Sequence, residues 1–441
     1  MRIMAIVFCL LPALALAQNC AACPNRQAEA APCHWLEVTG VVPDGPAAKV
    51  GVRVGDALVS YDGKPMGCRA DLSAAQAAVQ VDSLVATFRR GNKELNFVLP
   101  KGKLGIYFAE WMNDLPLGQD ARMIADVPNL GWAQPNSFMG ALEAVLHKLG
   151  DHSGYAFLCG ASGAAFRLHF FDTWCPSSVD ATCGFDAGTE ALSARGLDVR
   201  WLEVASDGKN KPQIVDSIKK SIDAGMPVLA IDLIEMPEWG VIIGYQKNGE
   251  ELLCRTYFDK RKGFEVAQKF PFIVGILRRQ GKPPDPDTRF QKSFATVVAN
   301  LTTEKYDQYY SGLAAFDKWV DRLKTDDLSK LDTTKLANVV MANYTILNRL
   351  VADRKTGLEY LEHIGTGRED LEQPMADLTA LYQQEVDLLG PLVEKVPCPG
   401  SVQKAGDWPQ ESKDAEIAAL EKVRAFEAQA LPTWQGLAKA K

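Results

Sequence analysis

The chain has 441 residues, enough for two to four domains with cores of their own. At 47% hydrophobic and 23% charged it is composed like a globular protein, which excludes wholesale disorder. A formal net charge of −7 without a basic cluster argues against nucleic acid or an anionic membrane as partner, since either needs a basic face.

The first residues have the order of an export signal. Arg2 is a short positive region, Ile3 to Leu16 are apolar, and Ala15-Leu16-Ala17 is a small-residue cleavage pattern. Residues 1–17 read as a signal peptide removed before Gln18, and no later segment is apolar enough to span a bilayer. A secreted or periplasmic protein is expected. There, cysteines tend to form disulfides. The chain has ten, and loss of Cys9 leaves an odd number, so at least one thiol is free or pairs with another molecule. Cys20 and Cys23, in the segment 18–32, have CxxC spacing but no second ligand pair, so a local staple or a bridge to Cys33 or Cys68 is expected rather than a metal. Cys175 and Cys183 could close a loop. No metal or cofactor is expected.

Leu36 to Val42 reads as a strand, followed by a short helix that Pro46 opens and Gly51 stops. Ala57 to Tyr61 is a second strand, ended by Asp62-Gly63. Asp71 is placed to cap a helix carrying Leu72, Ala75 and Val79 on one face. Leu84–Arg89 and Lys93–Leu99 form a hairpin through Gly91-Asn92, and Leu104-Gly105-Ile106 is a last short strand. This order, with the run Gly45-Pro-Ala-Ala-Lys-Val-Gly-Val-Arg-Val-Gly-Asp-Ala-Leu58, resembles the permuted PDZ domains of bacterial proteases over residues 33–108. The resemblance implies a PDZ-like β-sandwich or barrel that takes a peptide as an added strand. Its carboxylate-binding loop falls at Leu104, Gly105 and Ile106, with Trp35 to Val38 as a second candidate.

A linker from Glu110 to Pro128 precedes a new pattern. Asn136-Ser137 caps a helix with Phe138, Ala141, Leu142, Val145, Leu146 and Leu149 on one face. Pro212 opens another helix, ended by Gly225; Met226–Ile234 is an apolar strand, and Trp239–Tyr245 with Glu251–Phe258 is a hairpin around Asn248-Gly249. The helix Ser137 to Leu146, Pro227 to Ile231, and Trp239 to Tyr245 resemble the papain-like N-terminal domain of the butirosin-biosynthesis acyltransferase family. They resemble the bacteriocin-processing cysteine peptidases more distantly.

That resemblance implies a papain-like α+β domain over 122–282, with Ser137 where the family has its cysteine and Glu238 where it has its histidine. Asp259 is the nearest carboxylate to the orienting position. Trp132, Trp174, Trp239 and Tyr257 flank the cleft. A helix N-terminus and an imidazolium activate a thiol, but a hydroxyl needs a positioned base, and none of the five histidines lies between Arg200 and Asp259. The default reading is therefore a non-catalytic cleft for a small molecule or peptide. The alternative is a hydrolase or acyltransferase using Ser137 with Glu238 as base.

Pro283 to Asp287 form a second linker, and apolar stripes such as Phe316, Trp319, Val320 and Leu323 predict an all-α bundle over 288–441. The expected whole is a multidomain α+β protein that binds a protein or peptide C-terminus through its first domain.

Overall fold

The computed structural model describes residues 35–43, 45–91, 93–130, 134–365 and 368–439. The signal-peptide stretch, Cys20, Cys23, Cys33 and Trp132 lie outside these. The described residues divide into two compact units, one of residues 35–119 with 258–265, the other of residues 120–257 with 266–439.

The smaller unit is built from β1 (Trp35–Val41), α1 (Pro46–Val50), β2 (Ala57–Tyr61), β3 (Lys64–Pro65), α2 (Arg69–Ala78), β4 (Ser83–Arg90), β5 (Lys93–Pro100) and β6 (Ile106–Trp111). Its antiparallel sheet runs β5-β4-β2-β1-β6, with β3 beside β2. Pro46 opens α1 and Gly51 ends it at φ +91°, where a side chain would be strained. Leu36, Val38, Leu58, Phe88 and Leu99 alternate inward from four strands and meet Leu72, Ala75 and Val79, so α2 closes one side of the core. Asp71 does not cap α2 as expected. Cys68 is the N-cap, and Asp71 sits three residues on, accepting from the Gly67 and Cys68 N–H groups. Asp56 is buried and gripped by Arg90, Nε to Oδ1 at 2.7 Å and Nη2 to Oδ2 at 2.8 Å. Burial opposes the carboxylate, but Arg90 and the Arg53 N–H hold it below its ordinary pKa.

The larger unit begins with β7 (Arg122–Met123), inside the expected linker. Helices α3 (Ser137–Lys148) and α4 (Tyr155–Ala161), strand β8 (His169–Phe171), α5 (Ala187–Ala194), β9 (Leu197–Glu203) and α6 (Lys211–Asp223) follow. Strands β10 (Val228–Ile231), β11 (Trp239–Gln246), β12 (Glu251–Arg255) and β13 (Ile273–Arg279) complete an antiparallel sheet. Its order is β12-β11-β10-β13-β9, with β7 paired to β11. The apolar run Met226–Ile234 stops being a strand after Ile231 because Asp232 turns the backbone to φ +70°.

The C-terminal region is helical but not all-α. After α7 (Pro286–Thr302), β14 (Lys305–Tyr306) and β15 (Tyr309–Ser311) form a hairpin whose second strand pairs with β8. Then come α8 (Gly312–Thr325), α9 (Thr333–Gly365), α10 (Glu372–Leu389) and α11 (Gln410–Lys439). One core joins Leu168, Phe170 and Trp174 to Phe316, Trp319, Leu347, Leu350 and Leu420, so these helices share a unit with the sheet.

Two buried polar groups set the terms of this packing. Arg354 of α9 donates to Glu385 of α10 at 2.9 Å, to Glu427 of α11, and to the Ala165 carbonyl at 2.8 Å. Burial pushes both carboxyls up, against the pull of the guanidinium. Glu416 of α11 accepts from Asn343 Nδ2 at 2.9 Å, while Asn343 accepts from the Trp319 indole at 2.7 Å. With no cation beside it, burial pushes the Glu416 carboxyl up to about 8.

The sign of the Glu416 effect follows by linkage. Its folded-state pKa lies above the ordinary 4.5, so the folded chain holds a proton that the unfolded chain sheds. Stability therefore falls as pH rises from about 4.5 to about 8 and is level beyond it. Glu416→Gln, which needs no proton, should stabilise the protein at pH 7 by about 1–3 kcal/mol and flatten that slope. Chemical denaturation at pH 5, 7 and 8.5 checks this; a stability loss at pH 7 contradicts it.

Candidate functional site

In the smaller unit the site candidate is a sheet edge. Val38 spends both backbone groups away from β6, its N–H on Asp56 and its carbonyl on the Gly55 N–H. Its opposite residue, Phe108, therefore makes no ladder bonds with it, and the Phe108 N–H and C=O point off the outer edge of β6. Val42 N–H donates to Gly105 C=O at 2.9 Å, so by alternation Ile106, opposite Val41, also faces outward. Gly105 lies at φ +69°, with Val42 Cβ and Gly45 Cα within 3.4 and 3.6 Å of where a Cβ would stand, so only glycine suits the loop. Leu104 is buried in the core and its carbonyl is taken by the Ala47 N–H. The loop carbonyls are thus spent inward at the start of an outward-facing edge. Leu104, Gly105 and Ile106 stand together at this point.

The far end of the same edge is covered by the segment 258–265. Met112 N–H, in phase with Phe108, donates to Lys260 C=O at 2.6 Å, and Met112 bridges Arg261 in parallel. Gly263 N–H donates to Asp114 at 2.6 Å, and Lys262 pairs with Glu37. Asp259 lies in this segment.

In the larger unit the candidate is the start of α3. Asn136 is the N-cap, its side chain accepting from the Met139 N–H at 3.2 Å while its own N–H donates to Tyr155 Oη at 2.9 Å. The Ser137 side chain is therefore not needed as a cap. Its Oγ accepts from the Trp239 N–H at 3.3 Å and lies near the carboxyl of Glu238, whose ionised form it favours. Burial raises the pKa of Glu238; the Ser137 hydroxyl and Arg349 pull it down, Asp180 pushes it up, and the net shift is upward. Both side chains are only part-buried. The structure thus brings Ser137 and Glu238 together.

Three further groups set the geometry. Tyr257 donates from Oη to the Ser137 carbonyl at 3.3 Å, and burial followed by the Glu238 charge raises its pKa. Trp239 is buried against Phe138, edge to face at 5.0 Å, and its indole donates to Asp180 at 2.7 Å. Asp180 sits on a loop whose carbonyls at Val179, Asp180, Cys183 and Phe185 are held by buried Arg167. Arg349, from α9, donates to the Pro135 carbonyl just ahead of Ser137. Sequence reasoning missed Asp180 and Arg349, which have no motif and lie far from Ser137 in the chain.

Trp174, expected at the cleft, belongs elsewhere: it packs on Phe170 in the helical core and donates to Asp326 at 2.6 Å. No described histidine is seen to serve Ser137. His147 and His152 pack on each other at 4.5 Å, His363 lies against Phe157, and buried His169 bonds the Cys183 carbonyl. Cys159 and Cys183 are free thiols whose pKa values burial raises far above the ordinary range, so neither is an activated nucleophile, and Cys183 closes no loop. Cys68 is also a free thiol. Among the described residues, no group of three or more His, Cys, Asp or Glu is arranged to hold a metal, and no helix is long and apolar enough to cross a membrane.

Gly140 gives a test of this site. A Cβ there would stand 2.0 Å from Tyr257 Oη but 3.3 Å from its Cζ. Gly140→Ala should destabilise by about 1–3 kcal/mol by forcing the ring out. Tyr257→Phe should remove most of that cost, so the double variant is non-additive by about 1 kcal/mol or more. Additive losses in chemical denaturation would show that the hydroxyl is not the constraint.

No curated protein matches the chain. Residues 37–87 match the family model described as a PDZ domain, which runs from within β1 into β4 and takes in α1 and α2. This part of the chain is a PDZ domain, a protein-interaction module.

Proposed function

We propose that this is an exported binding protein whose PDZ domain captures the C-terminus of a peptide or protein along β6. The observation that carries this reading is the outward-facing backbone of Ile106 and Phe108 beside the left-handed Gly105. An extended peptide can pair there as a further strand, its carboxylate on the N–H groups of the loop. Export rests on the apolar N-terminal stretch alone. The test is fluorescence anisotropy of the full chain with hexapeptides ending in valine, as free acid and as amide. The free acids should bind with Kd of roughly 1–100 μM and the amides about tenfold weaker. Absence of binding by either form would sink the reading.

In the larger unit, the reading is a papain-like frame whose site binds without turning over. The helix opening at Ser137, the antiparallel strands β10 and β11, and Glu238 just ahead of β11 support that frame; Trp239 and Tyr257 would line its cleft. Trp132, outside the described residues, belongs to the same proposal. A small molecule or peptide would be the ligand.

A second reading is favoured by the nearness of the Ser137 hydroxyl to the Glu238 carboxyl: a hydrolase or acyltransferase in which Glu238 takes the Ser137 proton as the hydroxyl attacks an acyl carbon, then returns it to the leaving group as the acyl bond to that group breaks. Because Glu238 acts only when ionised and its pKa is raised, activity should appear on a rising pH limb above the ordinary carboxylate range. A broad ester screen from pH 5 to 9 checks this. Any turnover should drop at least about 100-fold in both Ser137→Ala and Glu238→Gln; turnover unchanged in Ser137→Ala excludes that role.

A further inference from the structure

A cavity of about 470 Å³ opens in the larger unit where helices α3 and α5 end. It lies about 18 Å along α3 from Ser137, and its volume is within the roughly 300–1,000 Å³ of small-molecule sites. Leu146, Leu149 and Leu197 give it an apolar wall, His152, Arg195 and Arg279 a polar one. Gly196, at φ +68°, accepts from the Gln280 N–H at 2.9 Å, and a Cβ there would stand 2.9 Å from the Gly281 carbonyl. This close approach brings Arg195 and Arg279 to the same cavity. The two arginines differ in kind. Arg195, 12% exposed, is fixed: its Nε and Nη2 hold Asp151 at 2.7 and 2.5 Å, and its guanidinium lies 5.4 Å from the Phe157 ring centre. Asp151 is spent as well, accepting from the Ser153 N–H and hydroxyl. Burial opposes its charge, but Ser153 and Arg195 hold its carboxyl below the usual range. Arg279 ends β13 and is exposed. Its neighbour Arg278 pairs with Asp198 at 2.8 Å, whereas Arg279 has no carboxylate partner among the described residues.

We propose that this cavity is a binding site for a small organic monocarboxylate, held by its carboxylate on Arg279 and Arg195 and by its body on the leucine wall. The inference depends neither on peptide capture nor on the Ser137 site. The pair with Asp151 uses Nε and Nη2 of Arg195, so its Nη1 group remains to donate. Guanidinium donors match a carboxylate in geometry as well as charge. The charge balance sets the ligand class. With the imidazole neutral, two guanidiniums against one carboxylate leave the cavity one positive charge in excess. A monoanion cancels that excess, and an ammonium adds to it. A dianion overshoots it and meets the C-terminal ends of α3 and α5, where helix carbonyls carry partial negative charge. Selection thus has an attractive and a repulsive part.

The experiment titrates the full chain with benzoate, benzyl alcohol, benzylamine and phenyl phosphate, which share one ring and differ in charge, by ligand-detected NMR at low salt and neutral pH. Benzoate should bind with Kd of roughly 0.1–1 mM, about fivefold or more ahead of benzyl alcohol and phenyl phosphate, with benzylamine the weakest. Arg279→Ala should weaken benzoate about tenfold and bring it level with benzyl alcohol, while Arg279→Lys, which keeps the charge, should lose less. Glu238→Gln should leave benzoate binding unchanged, which separates this cavity from the Ser137 cleft. Circular dichroism confirms the fold of the Arg279 variants, whose change lies at an exposed position. Benzoate binding no better than benzyl alcohol, or equally well to wild type and Arg279→Ala, overturns the site. Phenyl phosphate binding ahead of benzoate overturns the monocarboxylate assignment.

Discussion

The rotation of helix α9 about its own axis is the constraint on which the larger unit depends. Three charged residues lie on its buried side. Arg354 is locked between Glu385 and Glu427 and reaches the Ala165 carbonyl. One turn earlier, Arg349 holds the Pro135 carbonyl, with Asp353 4.0 Å away. A guanidinium has fixed fork geometry, so satisfying these acceptors together leaves α9 little freedom to turn or slide. Two carboxyls share the one Arg354, and burial pushes both upward against its pull. Replacing one member would strand a buried charge. This is why the C-terminal helices are not an appendage: the same helix packs the core through Leu347 and Leu350 and supports the loop that starts α3.

That support bears on what the Ser137 site can do. In a cysteine site, a helix N-terminus and a nearby cation suffice because a thiol is already close to ionising. A hydroxyl is not, so the positive end of α3 and Arg349 cannot create an alkoxide by themselves. They do something else here. Arg349 and the Ser137 hydroxyl stabilise the ionised form of Glu238, while burial and Asp180 oppose it. Glu238 is left a stronger base than a surface carboxylate, near a Ser137 hydroxyl that accepts from the Trp239 N–H. Ser137 and Glu238 thus stand near each other at the start of α3. That nearness keeps a catalytic reading beside the binding one.

Much of the fold was legible because local physics decided it. Pro46 and Gly51 bracket α1, Asn136 caps α3, and the alternation of β4 places Leu84, Ala86 and Phe88 inward. What escaped had no local signal. β7 is two residues long and exists only because β11 offers it an edge. The hairpin of β14 and β15 is too short for a period-2 pattern to stand out within helical surroundings. Of the candidate site, Ser137, Glu238, Trp239 and Tyr257 were named from a family pattern and do converge. Trp174 does not, because a tryptophan near a motif says nothing about which core it fills. Arg349 and Asp180 were invisible, since their partners Pro135 and Trp239 are brought to them only by tertiary packing.

The sheet edge shows the same division between local and distant causes. A free strand edge invites unwanted pairing, and proteins blunt it with charge, bends or a covering segment. β6 is managed by two of these means in sequence. Residues 258–265, distant in the chain, cover the end near Met112, while the charge of Arg69 covers Phe108. A covering strand with several fixed bonds is hard to displace; a single exposed arginine is not, because its lost bond can be remade with water or with a ligand. An edge that must stay soluble when alone and still accept a strand needs a cover of the second kind over the part that works. The position of Arg69, over the carbonyl two residues beyond the Gly105 loop, meets that requirement.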